Sequence, residues 1–177
     1  MAGPLRSRRD IDPPADIGAA TPPHSTEAEQ SVLGGLLIDA AAWDQIGDVI
    51  VADDFYRPDH QLIFTALADL VAGGKPADVV TASEQLERNG KLEAAGGLAY
   101  LGSLARDTPT ATNVRAYAQI IRERSLLRRL ITAGRSIAAA PFANDGRTAR
   151  ELVDSAEQQV FEIAEQSTGR RDGAVKV

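Results

Sequence analysis

The chain has 177 residues and a formal net charge of −6, and its 44% hydrophobic and 25% charged residues are typical of a globular protein. Aromatic residues make up 5%, cysteine is absent, and no apolar run approaches the roughly 18 residues that a membrane-spanning helix needs. This composition excludes disulfides and thiolate metal sites, gives no membrane span, and favours helices over sheets.

Residues 1–24 are predicted to form a disordered tail. Five prolines stand there among scattered charges, with few bulky apolar side chains. Such a segment cannot bury enough apolar surface to offset the entropy of ordering it.

The first helix is predicted to have Thr26 as its cap, because Thr26 and Glu29 have the spacing of a capping box. Gly34 and Gly35 lie inside this helix, at a cost of about 1 kcal/mol each relative to alanine. That cost indicates that another helix or backbone segment passes close to them.

Four more short helices complete a predicted globular head over residues 25–112. Their ends are set by caps, by proline and glycine, and by apolar residues three and four apart. They are Ala40–Ile50 capped by Asp39, Pro58–Ala72, Val79–Arg88 capped by Asp78, and Leu98–Ala105 with Leu98, Leu101 and Leu104 inward. No segment alternates with period two, so no sheet is predicted.

A single long helix is predicted over Asn113–Ala140, about 42 Å in length. One face of its first half is predicted to carry Val114, Tyr117, Ile120 and Ile121. In its second half the apolar arc turns by about 120° and widens to about 160°, which exceeds the arc of about 100° that one core requires. The second half is therefore expected to contact both the next helix and another chain; the alternative is a single long core helix.

A last helix, from Thr148 to about Glu165, is predicted to fold back as the second arm of a hairpin over residues 113–166. Its predicted seam follows a coiled-coil spacing of four and three residues. The seam residues are Ala149, Val153, Ala156, Val160 and Ile163. Phe161 lies off this seam and is expected to meet a second chain, and residues 167–177 are expected to be a linker. The predicted fold class is all-α, a head of about five helices plus a long antiparallel hairpin.

The charges are distributed unevenly between the head and the long helix. Residues 25–107 contain 5 Lys/Arg and 14 Asp/Glu, whereas residues 111–140 contain 6 Arg and a single Glu. The basic helix could attract an acidic protein surface or nucleic acid, with a solvated arginine face as the alternative. The candidate basic contact face comprises Arg122, Arg124, Arg128, Arg129 and Arg135.

No catalytic, cofactor or metal site is predicted in the chain. The closest approach to a phosphate-binding loop is Gly73-Gly74-Lys75, which a proline follows. A small enzyme could be imagined only around His60 with Asp59 and Asp53. Asp59, however, lies in a first helical turn, where carboxylates are favoured for structural reasons.

Three stretches resemble the N-terminal domain of the bacterial replicative DNA helicase family, DnaB. They are PHSTEAEQSVLGGLLID at 23–39, DDFYRPDHQLIFTAL at 53–67, and GGLAYLGSLARDTPTATNVRAYAQIIRERSLLRRLI at 96–131. The resemblance extends from about residue 23 to 166 and implies a helical head with a hairpin. It further implies that hairpins pair between subunits, and that a trimer of such dimers forms a collar that binds the DnaG primase.

The resemblance also implies a hexameric, cytoplasmic ring helicase at the replication fork, acting on single-stranded DNA at the nucleoid with a helicase loader as a further partner. In this family ATP and Mg²⁺ are bound in a C-terminal domain, so these 177 residues are not expected to hydrolyse ATP. Residues 167–177 would lead towards that domain. A free-standing helical adaptor is the alternative.

Mapped onto this chain, the hairpin of the family covers about residues 115–140 and 148–165. Subunit contacts are expected from the apolar residues of its two arms. The candidates are Leu126, Leu127, Leu130, Ile131, Ile137, Val153, Val160 and Phe161.

Overall fold

The computed structural model describes residues 17–168, which are helical throughout their regular parts and contain no strand. The helices are α1 (Thr26–Ile38), α2 (Trp43–Ile46), α3 (Pro58–Ala72), α4 (Val79–Arg88), α5 (Gly97–Asp107), α6 (Val114–Ala139) and α7 (Ala149–Thr168). Short 3-10 turns lie at Ala40–Ala42, Ala52–Asp54 and Ala140–Phe142. The predicted all-α head with a long hairpin is confirmed.

Helix α1 lies at the centre of the head and packs against α3, α5 and the first half of α6. Val32 and Leu33 of α1 are completely buried, as are Leu67 of α3 and Leu101 of α5. Ile121 of α6 is 2% exposed and belongs to the same core, so the long helix begins as part of the head.

The expected close approach at the α1 glycines is confirmed for Gly34. A Cβ atom at Gly34 would lie 2.4 Å from the carbonyl oxygen of Leu104 and 1.9 Å from Oγ1 of Thr108. A Cβ atom at Gly35 would meet Ala111 and Val114 at an ordinary 3.5 Å. The end of α5 therefore passes directly over Gly34, where only a glycine leaves room for it.

Two head helices have the bounds that local signals predict. Helix α3 begins at Pro58 and is followed by Gly73, and α4 begins after its cap Asp78. The Asp78 carboxylate accepts from the Thr81 backbone N–H at 2.9 Å, and Thr81 Oγ1 accepts from the Asp78 backbone N–H at 3.0 Å.

Other expectations about the head are wrong in detail. The cap of α1 is Ser25, whose hydroxyl accepts from the Ala28 N–H at 3.2 Å, one residue before the predicted cap. The second helix ends at Ile46 and not at Ile50. Leu98 is 55% exposed, because residues spaced by three drift about 60° around a helix at each step, which turns Leu98 away from Leu104.

Residues 17–24, which we expected to belong to a disordered tail, lie against the rest of the protein. The carbonyls of Pro23 and Ile17 accept hydrogen bonds from Arg128 and Arg135 of α6. The His24 ring stacks on Tyr56 at 4.3 Å between centroids. The rest of the predicted tail, residues 1–16, and the predicted linker from residue 169 onward lie outside the described residues, and α7 continues to Thr168.

Candidate interaction surface on the hairpin

Helices α6 and α7 run antiparallel. Near the tip, Ile137 of α6 and Ala140 of the following 3-10 turn line one cavity with Leu152 and Ala156 of α7. At the base, Arg122 of α6 donates to the carbonyl oxygen of Gln166 at 2.5 Å, and Arg129 donates to the Gln166 side chain. The described part of the chain contains no helix that is both long and apolar enough to cross a bilayer.

The inner row of α7 differs from the predicted seam. Leu152, Ala156 and Ile163 are half-buried, whereas Val153 and Val160 are 55% and 48% exposed. The two rows lie about 100° apart on the helix, and both are apolar, so spacing alone could not decide which row faces α6. Val153 and Val160 are therefore not seam residues within the hairpin.

Exposed apolar side chains are concentrated on the hairpin. Of the 12 large hydrophobic residues that are exposed within residues 17–168, seven lie on α6, α7 or the tip between them. They are Ile120, Leu127, Leu130, Phe142, Val153, Val160 and Phe161. The hairpin therefore leaves more of its large apolar side chains exposed than the head, where the exposed ones are Ile38, Val51, Val80 and Leu98.

The exposed apolar residues can be located relative to the side of the hairpin that faces the head. A cleft facing the head is lined by Asp53 of the head, Ser125 of α6, and Gln159 and Glu162 of α7. At 100° per residue, Leu130 lies about 140° around α6 from Ser125, and Val160 lies about 100° around α7 from Gln159. Leu130 and Val160 therefore both point away from the head, and they lie on the same side of the hairpin.

We call this surface the hairpin face. It consists of Leu126, Leu127 and Leu130 of α6 with Val153 and Val160 of α7. Five of the eight candidate contact residues thus share one side of the hairpin. Ile137 is half-buried and lines the cavity between the two helices. Ile131 is half-buried at the far edge of α6, and Phe161, which is 60% exposed, lies on the side of α7 opposite to α6.

The five arginines of the candidate basic face do not form one exposed surface. Arg122 and Arg129 donate to Oδ1 of the buried Asp54 at 3.0 and 3.3 Å. Arg128 donates to the carbonyls of Pro23 and Asp54, and its burial lowers the pKa of its guanidinium. Four of the five arginines bond groups of their own chain, Arg135 through Ile17, and Arg124 is exposed.

His60 does not form an accessible acid–base cluster with Asp59 and Asp53. Its ring is completely buried, with Nδ1 2.6 Å from Glu29 Oε2 and Nε2 2.7 Å from the Tyr100 hydroxyl. Within residues 17–168, no three His, Asp or Glu side chains are arranged to hold a metal ion. The imidazole joins α1, α3 and α5, and cannot meet a substrate.

Sequence reasoning missed two buried carboxylates, Glu29 and Asp54. Glu29 Oε1 accepts from the Tyr56 N–H at 2.6 Å and its other oxygen faces His60, while Asp54 is completely buried under the α6 arginines. The signal for Glu29 was its place within the buried face of α1, next to Ala28. For Asp54 no local signal distinguished it from the exposed Asp53.

The fold and this surface define an all-helical head-and-hairpin domain. Residues 21–123 match the family model of the DnaB-like helicase N-terminal domain. The replicative DNA helicases DnaB of Pasteurella multocida and Haemophilus influenzae are each 43% identical to this chain, over 152 and 156 residues. These matches cover 86% and 88% of this chain, but 32% and 33% of the two relatives. The chain thus spans about a third of the length of these curated relatives.

Solved structures give the same result. The crystal structure of the N-terminal domain of DnaB helicase from Mycobacterium tuberculosis matches with a TM-score of 0.78 and 40% identity, over 80% of this chain and 99% of that domain. A DnaB-like replicative helicase, whose structure was described with its interactions with primase, shares the fold with a TM-score of 0.65 at 20% identity, over 86% of this chain and 36% of that one. This chain belongs to the DnaB-like helicase N-terminal domain family, which confirms the resemblance seen in the sequence.

Proposed function

We propose that this chain is the assembly and primase-docking region of a hexameric replicative DNA helicase. The whole protein would unwind duplex DNA at the replication fork during initiation and elongation of chromosome replication. ATP and Mg²⁺ would be bound by a C-terminal domain, so the region described here would be non-catalytic. Membership of the DnaB-like family supports this function, and the exposed hairpin face carries the assembly role.

The hairpin face lies where α6 runs beside α7, from Arg122 to Ala139, a length of about 27 Å. Two helices packed side by side are about 18 Å wide, which gives a face of roughly 500 Å². Stable interfaces bury about 800 Å² on each partner, so this face would supply the larger part of one subunit contact. We propose that hairpins pair face to face, and that such dimers build the collar of the ring.

The domain division serves this assembly. We propose residues 25–112 as the head and 113–166 as the pairing hairpin. Residues 167–177 would begin the connection to the ATPase tier. The ring would enclose single-stranded DNA in the cytoplasm, at the nucleoid, and a helicase loader would place it there.

Primase is proposed as the partner of the collar. The support is the shared fold with the helicase whose interactions with primase were described. Titrating the fluorescently labelled helicase-binding domain of primase with this chain tests the proposal. Saturable binding is expected, and no change in anisotropy at high concentrations of an assembled chain would contradict it.

The assembly proposal is tested by sedimentation equilibrium over a concentration series. Wild type is expected to form a dimer or a larger species, and Leu130→Asp a monomer, because a charge on the hairpin face would have to be buried. The matched control is Leu98→Asp, since Leu98 on the head is 55% exposed and Leu130 is 52% exposed. A strictly monomeric wild type, or a Leu130→Asp variant that associates normally, would contradict the proposal.

A further inference from the structure

Asp54 is a buried carboxylate held by groups from one face of α6. Its Oδ1 atom accepts from Ser125 Oγ at 2.7 Å, from Arg122 at 3.0 Å and from Arg129 at 3.3 Å. Its Oδ2 atom accepts from the Val51 backbone N–H at 2.9 Å. Because the Asp54 side chain is completely buried, the arginines bonded to it are fixed in place from the head side.

The same two arginines reach the last turns of α7. The second terminal nitrogen of Arg122 donates a hydrogen bond to the Gln166 carbonyl oxygen at 2.5 Å, and Arg129 donates one to the Gln166 side-chain oxygen. Each guanidinium therefore bridges Asp54 in the head and Gln166 in the hairpin. Planar guanidinium groups with several fixed donors are suited to holding two acceptors in one geometry.

Little else in the described residues joins the end of α7 to the head. Helix α7 packs mainly on α6 and on the 3-10 turn at the hairpin tip. On its head side is a cleft that is lined mostly by polar side chains, with Ala133 and Ile163 as its apolar members. Polar bridges therefore join this end of the helix to the head, while its apolar contacts are with α6.

We propose that Asp54 is a positioning residue, which holds the last turns of α7 against the head through Arg122 and Arg129. The latch, as we call these three residues with Gln166, fixes the angle between the hairpin face and the head. It goes beyond the proposed function, since the assembly role requires only that the hairpin face exists. The use of that fixed angle in a collar rests on the proposed function.

The substitution Asp54→Asn tests the latch with little change in shape. An amide keeps one oxygen acceptor but removes the charge, and its nitrogen would face either the Val51 N–H or the guanidinium donors. Arg122 and Arg129 are 11% and 32% exposed, so they can turn towards solvent when the anion is lost. The end of α7 would then lose its anchor while the apolar core of the head stays intact.

The chain has no cysteine, so a thiol-reactive spin label attaches only at cysteines that are introduced by substitution. Labels at Val80→Cys on the head and Glu165→Cys on α7, diluted with unlabelled chain, would report the intramolecular distance by pulsed electron resonance. We expect one narrow distance in the otherwise wild-type chain and its loss in Asp54→Asn. The neighbouring variant Asp53→Asn, at an exposed position, is the control and should keep the narrow distance.

Fluorescence of Trp43, the single tryptophan, checks the head in each variant, because its ring stacks on Phe64 in the head core. A second variant, Arg122→Gln with Arg129→Gln, removes the latch from the α6 side and should broaden the distance in the same way. An unchanged distance in both variants would overturn the latch. Loss of the native Trp43 fluorescence in both variants would also overturn it, because Asp54 would then be needed for the stability of the head core. Sedimentation of the same samples reports the oligomeric state, whereas the label distance lies within one chain. A failure of the latch can therefore be told apart from a failure of the assembly proposal.

Discussion

Replacing Gly34 by alanine should destabilise the head, because the end of α5 occupies the space that a methyl group would need. The Cβ atom would lie 2.4 Å from the Leu104 carbonyl oxygen, and an ordinary contact begins at 3.4 Å. The Thr108 side chain can rotate away, but the backbone carbonyl requires α5 to move by about 1 Å. Such overpacking costs about 1–3 kcal/mol, and the gain in helix propensity offsets up to about 1 kcal/mol of it. A net loss of about 1–2 kcal/mol is expected.

Gly35→Ala is the matched control for this prediction. Its methyl group would meet Ala111 and Val114 at 3.5 Å, an ordinary contact, so this variant should be stabilised by up to about 1 kcal/mol. Urea unfolding followed by Trp43 fluorescence measures both variants, because Trp43 lies in the head and is the single tryptophan. If Gly34→Ala were as stable as Gly35→Ala, α5 would not pass over Gly34 as described.

Two further predictions concern charged groups of the head. The Arg57 guanidinium holds the pKa of Asp59 below its usual 3.8, so this carboxylate stabilises the fold above that pH and the contribution is lost as the pH falls through its lowered pKa. Asp59→Asn should therefore lower the urea midpoint near neutral pH, and a deficit that stayed constant down to acidic pH would refute this attribution. Glu29→Ala leaves the buried His60 and the Tyr56 N–H without their acceptor and should cost about 3–5 kcal/mol by the same assay; a loss below about 1 kcal/mol would mean that water replaces the carboxylate.

The sequence predicted best where the determining interactions are local. Pro58 and Gly73 bound α3, and Asp78 with Thr81 caps α4, because in each case the groups that satisfy the helix end lie within a few residues. The close approach at Gly34 was also predictable, because a glycine inside a helix is costly unless its missing side chain makes room for a neighbour.

What the sequence could not reveal is which distant partner each polar group meets. Glu29 has the spacing of a capping residue, yet its carboxylate bonds a segment 27 residues away. The α6 arginines were candidates for an external partner, but Arg122 and Arg129 bond Asp54, 68 and 75 residues away along the chain. A charge pattern predicts that a carboxylate or another anion will be near, without saying whether it belongs to the same chain.

The two arms of the hairpin show a second limit. Helix α7 has two apolar rows, one with Leu152 and one with Val153, and periodicity gives both the same weight. Which row faces α6 depends on how the side chains of the two helices interdigitate, and this is a property of the packed pair. Five of the eight candidate contact residues nevertheless lie on one side, because a row that α6 does not cover remains exposed.

Helix α6 contributes to two separate sets of packing contacts at once. Val114, Ala118 and Ile121 are part of the head core, and Ala133, further along the same rod, is buried at 8% exposure. Unfolding the first half of the helix removes the support on which α7 rests, and the cost of starting a new helix prevents the second half from surviving alone. Head and hairpin therefore share one folding free energy and should melt in a single transition, although they differ in shape.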